Sequence, residues 1–382
     1  MEKYEPSALL RRSYAKAMAR ATKPNLIASK RKLIFEYVMR FHSILLILAL
    51  VPGLYSCAEK EAPEELLPFG VAPFDEPDFN KRTEKGVALG KKLFHDPILS
   101  GNNQISCATC HVQELAFSDG VALRKSVFSE NQLSRNVPAL INAGWIDKGL
   151  FWDGGVPNLE FLIQAPIKHP DEMNQNLMVL EKELNASDDY PALFKDAFGL
   201  DSVKFPEVSN ALSQYVRSLI SANSKYDAYK RGGAELTDEE QKGYTLYRQH
   251  CAACHTEGLF TDNDFHNNGL DSLFDNDSLL GTFQGRFRIT TDSADMGKFR
   301  TPTLRNVEVT APYMHDGRFE TLDDVLEHYS HGVKNSASID EKLIQNNGTL
   351  GIPMSEEEKK ALRAFLVTLS DLEFMRNNSY KP

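Results

Sequence analysis

Cys107-Ala-Thr-Cys-His111 and Cys251-Ala-Ala-Cys-His255 each place two thiols and an imidazole within five residues, twice in one chain. That Cys-x-x-Cys-His spacing is the one used to attach a c-type haem. The thiols take up the porphyrin vinyl groups as thioethers, and the adjoining histidine becomes the proximal ligand of the iron. A redox dithiol or half of a zinc site is the competing chemistry. The two motifs use four of the five cysteines, so only Cys57 remains, too few thiols to complete zinc coordination at both. The sequence therefore points to two covalently bound haem c groups and to electron-transfer chemistry.

Short helical patterns lead into both motifs. Gly86-Val-Ala-Leu-Gly-Lys-Lys-Leu-Phe94 precedes the first, and Gly243-Tyr-Thr-Leu-Tyr247 precedes the second. A closing helix follows each motif at a distance, over Ala211–Leu219 and Ala361–Leu369, matched as Ala-Leu-x-x-aromatic-aliphatic-x-x-Leu. This is the plan of a small cytochrome c, written twice. The expected fold is all-α, with two cytochrome c-like domains over 79–230 and 235–375, each holding one haem. Burial of a haem supplies apolar contact that such small domains lack. Arg231-Gly-Gly-Ala234 reads as the linker, and Thr237-Asp-Glu-Glu240 and Ser355-Glu-Glu-Glu358 as capped helix starts. The loop-rich stretch 262–298 is expected to wrap the second haem edge without regular structure.

Upstream, the apolar run Ser43–Tyr55 is too short to cross a bilayer comfortably and suits a signal-peptide core. Ser56-Cys57 after it resembles a lipoprotein cleavage site, with a plain signal peptide or uncleaved anchor as the alternative. Residues 1–56 read as extension plus signal, with Met39 as an alternative start, and 57–78 as a flexible tether. Because c-type haems are attached outside the bacterial cytoplasm, export and the haem motifs support one another. The expected location is the periplasm, with a lipid anchor at Cys57 as the sole membrane contact. Residues 1–56 hold ten Lys/Arg against three Asp/Glu, leaving 33 basic and 50 acidic side chains and a net charge of −17 in the remainder. Nucleic acid is a poor partner for that surface. A basic redox protein is a natural one.

Several motifs in one order carry a family resemblance over about Phe79 to Leu369. They are Leu93-Phe-His-Asp-Pro97, Ser106-CATCH, Arg135-Asn-Val-Pro138, Phe151-Trp-Asp-Gly154, Asp171-Glu-Met173, Arg300-Thr-Pro-Thr-Leu-Arg-Asn306 and Ala311-Pro-Tyr-Met-His-Asp-Gly317. The chain resembles the bacterial dihaem cytochrome c peroxidases and the related MauG enzymes. The resemblance implies that the N-terminal haem (Cys107, Cys110, His111) meets hydrogen peroxide. It implies that the C-terminal haem (Cys251, Cys254, His255) takes electrons from a small cytochrome c or copper protein. Trp152 matches the tryptophan between the haems, and Glu172 the acidic residue at the peroxide site, where a carboxylate can move a proton between the peroxide oxygens. Asn136, Thr310 and Pro312 match positions that hold a calcium ion, whose preference for amide and carbonyl oxygen they suit. A homodimer is left open.

The sequence departs from the family pattern in three places. No histidine lies between His111 and His169, and no methionine precedes Met173 in that loop, so the first haem is expected to be open on its distal side. His169 and Met173 are the alternatives. Tyr329 stands where conventional members carry a methionine ligand and where MauG has tyrosine; Met314, His328 and His331 are the competing ligands. Leu162 stands where relatives often carry a glutamine. Three functions compete on these residues: peroxide reduction, MauG-like oxidation of residues on a partner protein, and non-catalytic electron carriage.

Overall fold

Two glycines set the two main helix crossings. In chain order the longer described helices are α1 (Glu84–His95), α2 (Leu159–Lys168), α3 (Leu177–Ala186), α4 (Tyr190–Phe198), α5 (Phe205–Arg217), α6 (Lys225–Lys230), α7 (Asp238–His250), α8 (Leu322–Glu327), α9 (Glu356–Val367) and α10 (Leu372–Arg376). Where α1 crosses α5, a methyl on Gly90 would run into the Ala211 carbonyl and the Tyr215 Cβ. Where α7 crosses α9, a methyl on Gly243 would meet the Ala361 carbonyl and the Phe365 Cβ. The crossing is the same, residue for residue, so the internal repeat in the sequence is a repeat of packing. This computed structural model describes residues 66–274 and 282–382. The apolar run 43–55, Cys57 and Met39 lie outside the described residues.

Local signals fix the helix ends. Thr83 accepts from the Gly86 N–H at 3.0 Å to start α1. Thr237 and Glu240 form a reciprocal capping pair at α7, and Ser355 and Glu358 do the same at α9. Each helix pair buries its apolar face in its own core. Leu89, Leu93, Phe94, Leu212 and Tyr215 anchor the first; Tyr244, Tyr247, Phe260, Leu362 and Phe365 anchor the second.

Three features differ from the sequence expectation. The stretch 262–298 is not without regular structure: β1 (Phe265–His266) pairs antiparallel with β2 (Phe299–Arg300), Phe265 opposite Arg300. It is the one two-stranded sheet among the described residues of a helix-dominated fold. The flexible tether expected over 57–78 is, from residue 66 onward, bound to the body. Arg231 donates to the Leu67 carbonyl at 2.8 Å, Trp145 Nε1 donates to the Ala72 carbonyl at 2.8 Å, and Phe74 packs edge-on against Trp145. Residues after α9 also return to the first core, where Phe374 and Met375 are buried and Gln113 donates to the Asn377 carbonyl at 2.8 Å. No described helix is long and apolar enough to cross a membrane.

The segment joining the cores is pinned by a fully buried ion pair. Arg305 meets Asp227 through two bonds of 2.8 and 2.9 Å, both side chains at 0 % exposure. Burial alone would raise the Asp227 carboxyl, but Arg305, Ser224 and the Phe69 N–H outweigh it and hold it below its ordinary 3.8. Its contribution to stability is thus complete above the unfolded value and drains as pH falls through the lower, folded one. Asp227→Asn strands the guanidinium, and we expect a loss of roughly 3–5 kcal/mol in denaturant unfolding. In wild type the same contribution is expected to fade in melts taken at progressively more acidic pH.

Candidate functional site

The first motif is a single helical turn, Cys107–Cys110, followed by a reversal through Ala116 and Phe117, both at positive φ. That reversal turns the Phe117 carbonyl back onto the motif, where it lies 2.8 Å from His111 Nδ1. In the second motif, α7 delivers Cys251 at its C-terminus, and His255 Nδ1 lies 3.1 Å from the carbonyl of Phe260, again at positive φ. The device is identical in both halves. With Nδ1 donating to a carbonyl, Nε2 is left as the basic nitrogen that a metal can take. Burial is the largest influence on both histidines and lowers their pKa, which keeps the rings neutral and able to ligate. Burial also pushes the Cys107 and Cys251 thiols up to about 12 and Cys110 to about 11.

A cavity of about 260 Å³ runs along the second motif, with His255, Trp152, Arg300, Met314 and Tyr329 on its wall. Its shape and donors fit a haem held by Cys251, Cys254 and His255. Trp152 is buried and donates through Nε1 to the Asn136 carbonyl at 2.8 Å. The Asn136 side-chain amide lies 2.6 Å from the Pro312 carbonyl and 3.4 Å from that of Met314. Thr310, two residues before, belongs to the same turn, its hydroxyl 3.4 Å from the Val307 carbonyl.

Glu172 follows α2, close enough to Cys110 that its charge acts on that thiol. Burial raises its pKa, with His169 pulling it back and Asp171 pushing it further up. His169 Nδ1 sits 3.7 Å from the Glu172 carboxylate with half its side chain in solvent. Met173 is a core residue at 6 % exposure. Leu162 packs against the first core.

The second distal side is more crowded. After α8 the chain widens into a π-turn over His328–Gly332, the kind of bulge that re-aims a side chain. It puts Tyr329 on the cavity wall, while His331 turns outward to Glu327 at 3.0 Å. His328 is buried, with Nε2 at 3.0 Å from the Asn268 carbonyl. Asn268 donates to Met314 Sδ at 3.4 Å and also bonds the Tyr329 hydroxyl. Burial raises the Tyr329 phenol to about 12, and the Asn268 bond opposes that rise.

Asn268 and the pair of carboxylates on His266 carried no signal in the sequence. His266 bonds Asp262 at 2.9 Å and Asp340 on its other nitrogen. Cys254, His266 and Asp340 bring ligand atoms within 4.8 Å of one another. Both ring nitrogens are already engaged, so the cluster is a brace on the second haem loop. Arg300 stood in the sequence as part of a motif, without a role.

A helical chain with two such motifs, each histidine anchored through Nδ1, is a c-type dihaem protein. The family model for di-haem cytochrome c peroxidase matches residues 84–235. The methylamine utilization protein MauG of Methylorubrum extorquens is 36 % identical over 297 residues, covering 77 % of this chain and 80 % of that protein. The cytochrome c551 peroxidase of Nitrosomonas europaea is 31 % identical over 241 residues, covering 63 % and 71 %. Among solved structures, a MauG-like protein associated with microbial copper homeostasis superposes with a TM-score of 0.74 at 32 % identity, over 82 % of this chain and 97 % of that one. This chain belongs to the di-haem cytochrome c peroxidase family. It is an enzyme of that class, a peroxidase with two c-type haems.

Proposed function

We propose that the enzyme reduces hydrogen peroxide to water at the His111 side, with electrons that enter at the His255 side from a small soluble redox protein. The observation that carries the division is that two identical histidine anchors face different distal surroundings: a half-buried carboxylate, Glu172, near the first, and a crowded Tyr329–Asn268–Met314 wall at the second. When bound, the haems supply an iron at which the peroxide bond breaks and a second centre that stores an electron.

The chain's own groups do the rest. Cys107, Cys110 and His111 hold one haem; Cys251, Cys254 and His255 hold the other. Glu172 takes a proton from the peroxide oxygen nearer the iron and returns it to the departing oxygen, so water leaves in place of hydroxide. The reaction consumes two electrons and two protons. Trp152, buried and fixed by its bond to the Asn136 carbonyl, stands as the relay between the two sides. Asn136, Pro312 and Thr310 would hold a calcium ion through amide and carbonyl oxygens. Tyr329, on the cavity lining, would supply an oxygen ligand to the second haem. His331 faces solvent and His328 is spent on Asn268, which leaves Met314 as the remaining competitor. With His169 on Glu172 and Met173 in the core, neither would serve as a second ligand to a haem held by His111. Location in the periplasm, one haem in each of the domains 79–230 and 235–375, and lipid attachment at Cys57 complete the reading.

Tyr329 also favours a second activity, MauG-like oxidation of residues on a partner protein, because an anionic oxygen ligand supports the more oxidised iron states.

Mass spectrometry of protein matured in an export-competent host is expected to show two added haems, and one after replacement of Cys107 and Cys110 by Ala. Glu172→Gln should lower peroxide turnover by roughly 10²-fold or more, with both haem spectra retained; full turnover would remove Glu172 from catalysis. Tyr329→Phe should change the optical and EPR spectra of one haem only, and unchanged spectra would exclude ligation. The oxidised wild type should display a high-spin ferric signal from the open first site.

A further inference from the structure

Arg300 is buried without a counter-charge. Its side chain lies at the cavity wall with 7 % of the residue exposed. Nε donates to the Phe151 carbonyl at 3.2 Å, and the backbone N–H of Arg300 donates to the Trp152 carbonyl at 2.8 Å. Among the described residues nothing bonds its two terminal nitrogens, and no carboxylate raises its pKa, which burial alone pulls down to about 10. The other deeply buried guanidiniums are treated differently. Arg305 is met by Asp227 through two bonds, and Arg217 by Glu160 at 2.6 and 3.0 Å. A buried cation with no anion is costly enough that folds rarely keep one.

A second buried polar group on the cavity lining is also unanswered. His315 is 3 % exposed, and its Nε2 has no hydrogen-bond partner. Its ring stacks flat on Phe299, the residue before Arg300, at 3.7 Å between centroids. His315 and Arg300 line the same cavity as Cys251, Cys254 and His255. A buried guanidinium whose terminal donors have no acceptor, on the lining of a cavity, defines a seat for an anion.

We propose that Arg300 seats a carboxylate of the haem bound through Cys251 and Cys254, and that Arg300 thereby ties that haem to the backbone of Phe151 and Trp152. The assignment rests on the reading of the second motif as a haem site. A porphyrin fixed by two thioethers brings its propionates into the cavity with it. A free anion of the same chemistry would have to enter past a surface of net charge −17. Arg300 acts as a positioning residue: its terminal nitrogens hold the cofactor while Nε and the main chain hold the segment carrying Trp152.

The test is a spectroelectrochemical titration of both haems, with resonance Raman spectra of the propionate-bending region, on wild-type, Arg300→Gln and Arg300→Lys holoenzyme. Two haem masses in the wild type are established first, and their absence would defeat the haem-site reading itself, separately from this assignment. Arg300→Gln is expected to move one midpoint potential downward, because loss of a nearby positive charge favours the ferric state, and to leave the other in place. Arg300→Lys is expected to keep both midpoints close to wild type and to shift one propionate band, since a single ammonium replaces a forked donor. If the Gln variant does not accumulate, the Lys variant decides through that band. Unmoved midpoints in Arg300→Gln, or an unmoved band in Arg300→Lys, would overturn the proposal. Inorganic phosphate added to the wild type should leave the midpoints unchanged; a saturable shift would assign the seat to a free anion and overturn it as well.

Discussion

A buried imidazole can serve iron through one nitrogen only if the proton on the other has somewhere to go. In both halves of this chain that place is the carbonyl of a phenylalanine forced to positive φ, Phe117 for His111 and Phe260 for His255. Bulky residues rarely adopt that conformation, and here it aims the acceptor. The helix crossings serve the same end. Gly90 and Gly243 let α1 and α7 sit against α5 and α9 without an intervening methyl, which puts each Cys-x-x-Cys turn over its own core. Burial then holds the rings neutral and three of the four sulfurs as thiols.

What distinguishes the halves is the surroundings of an otherwise common scaffold. The first offers a carboxylate whose pKa burial has raised and a loop with no histidine to close it. The second offers a π-turn, a tyrosine, a methionine and an asparagine that bonds to both. Trp152 lies on the cavity wall at the second motif, while its indole is bonded to the segment that leads from the first.

Much of this was legible in the residues. The Cys-x-x-Cys-His pairs, the capping signatures at Thr237 and Ser355, and the repeated Ala-Leu-x-x-aromatic helix are local patterns whose meaning does not depend on tertiary context. Tyr329 could be named from its place after Thr321-Leu322, but not its route to the cavity, because no sequence signal announced the π-turn. Asn268 meets Met314 across 46 positions and His266 meets Asp340 across 74, and no local pattern encodes that. The short strand Phe265–His266 and its partner Phe299–Arg300 were missed for a related reason. Two residues are too few for alternation to show, and their pairing is a tertiary event.

The return of Phe374, Met375 and Tyr380 to the first core has a consequence for biogenesis. A ribosome working from the N-terminus finishes α1, the first haem turn and α5 long before it makes the segment that seals them. The lobe around His111 therefore stays open to the attachment machinery throughout synthesis and closes last. A nonsense codon a dozen residues from the end would spare every motif of the second lobe and still leave the first unsealed.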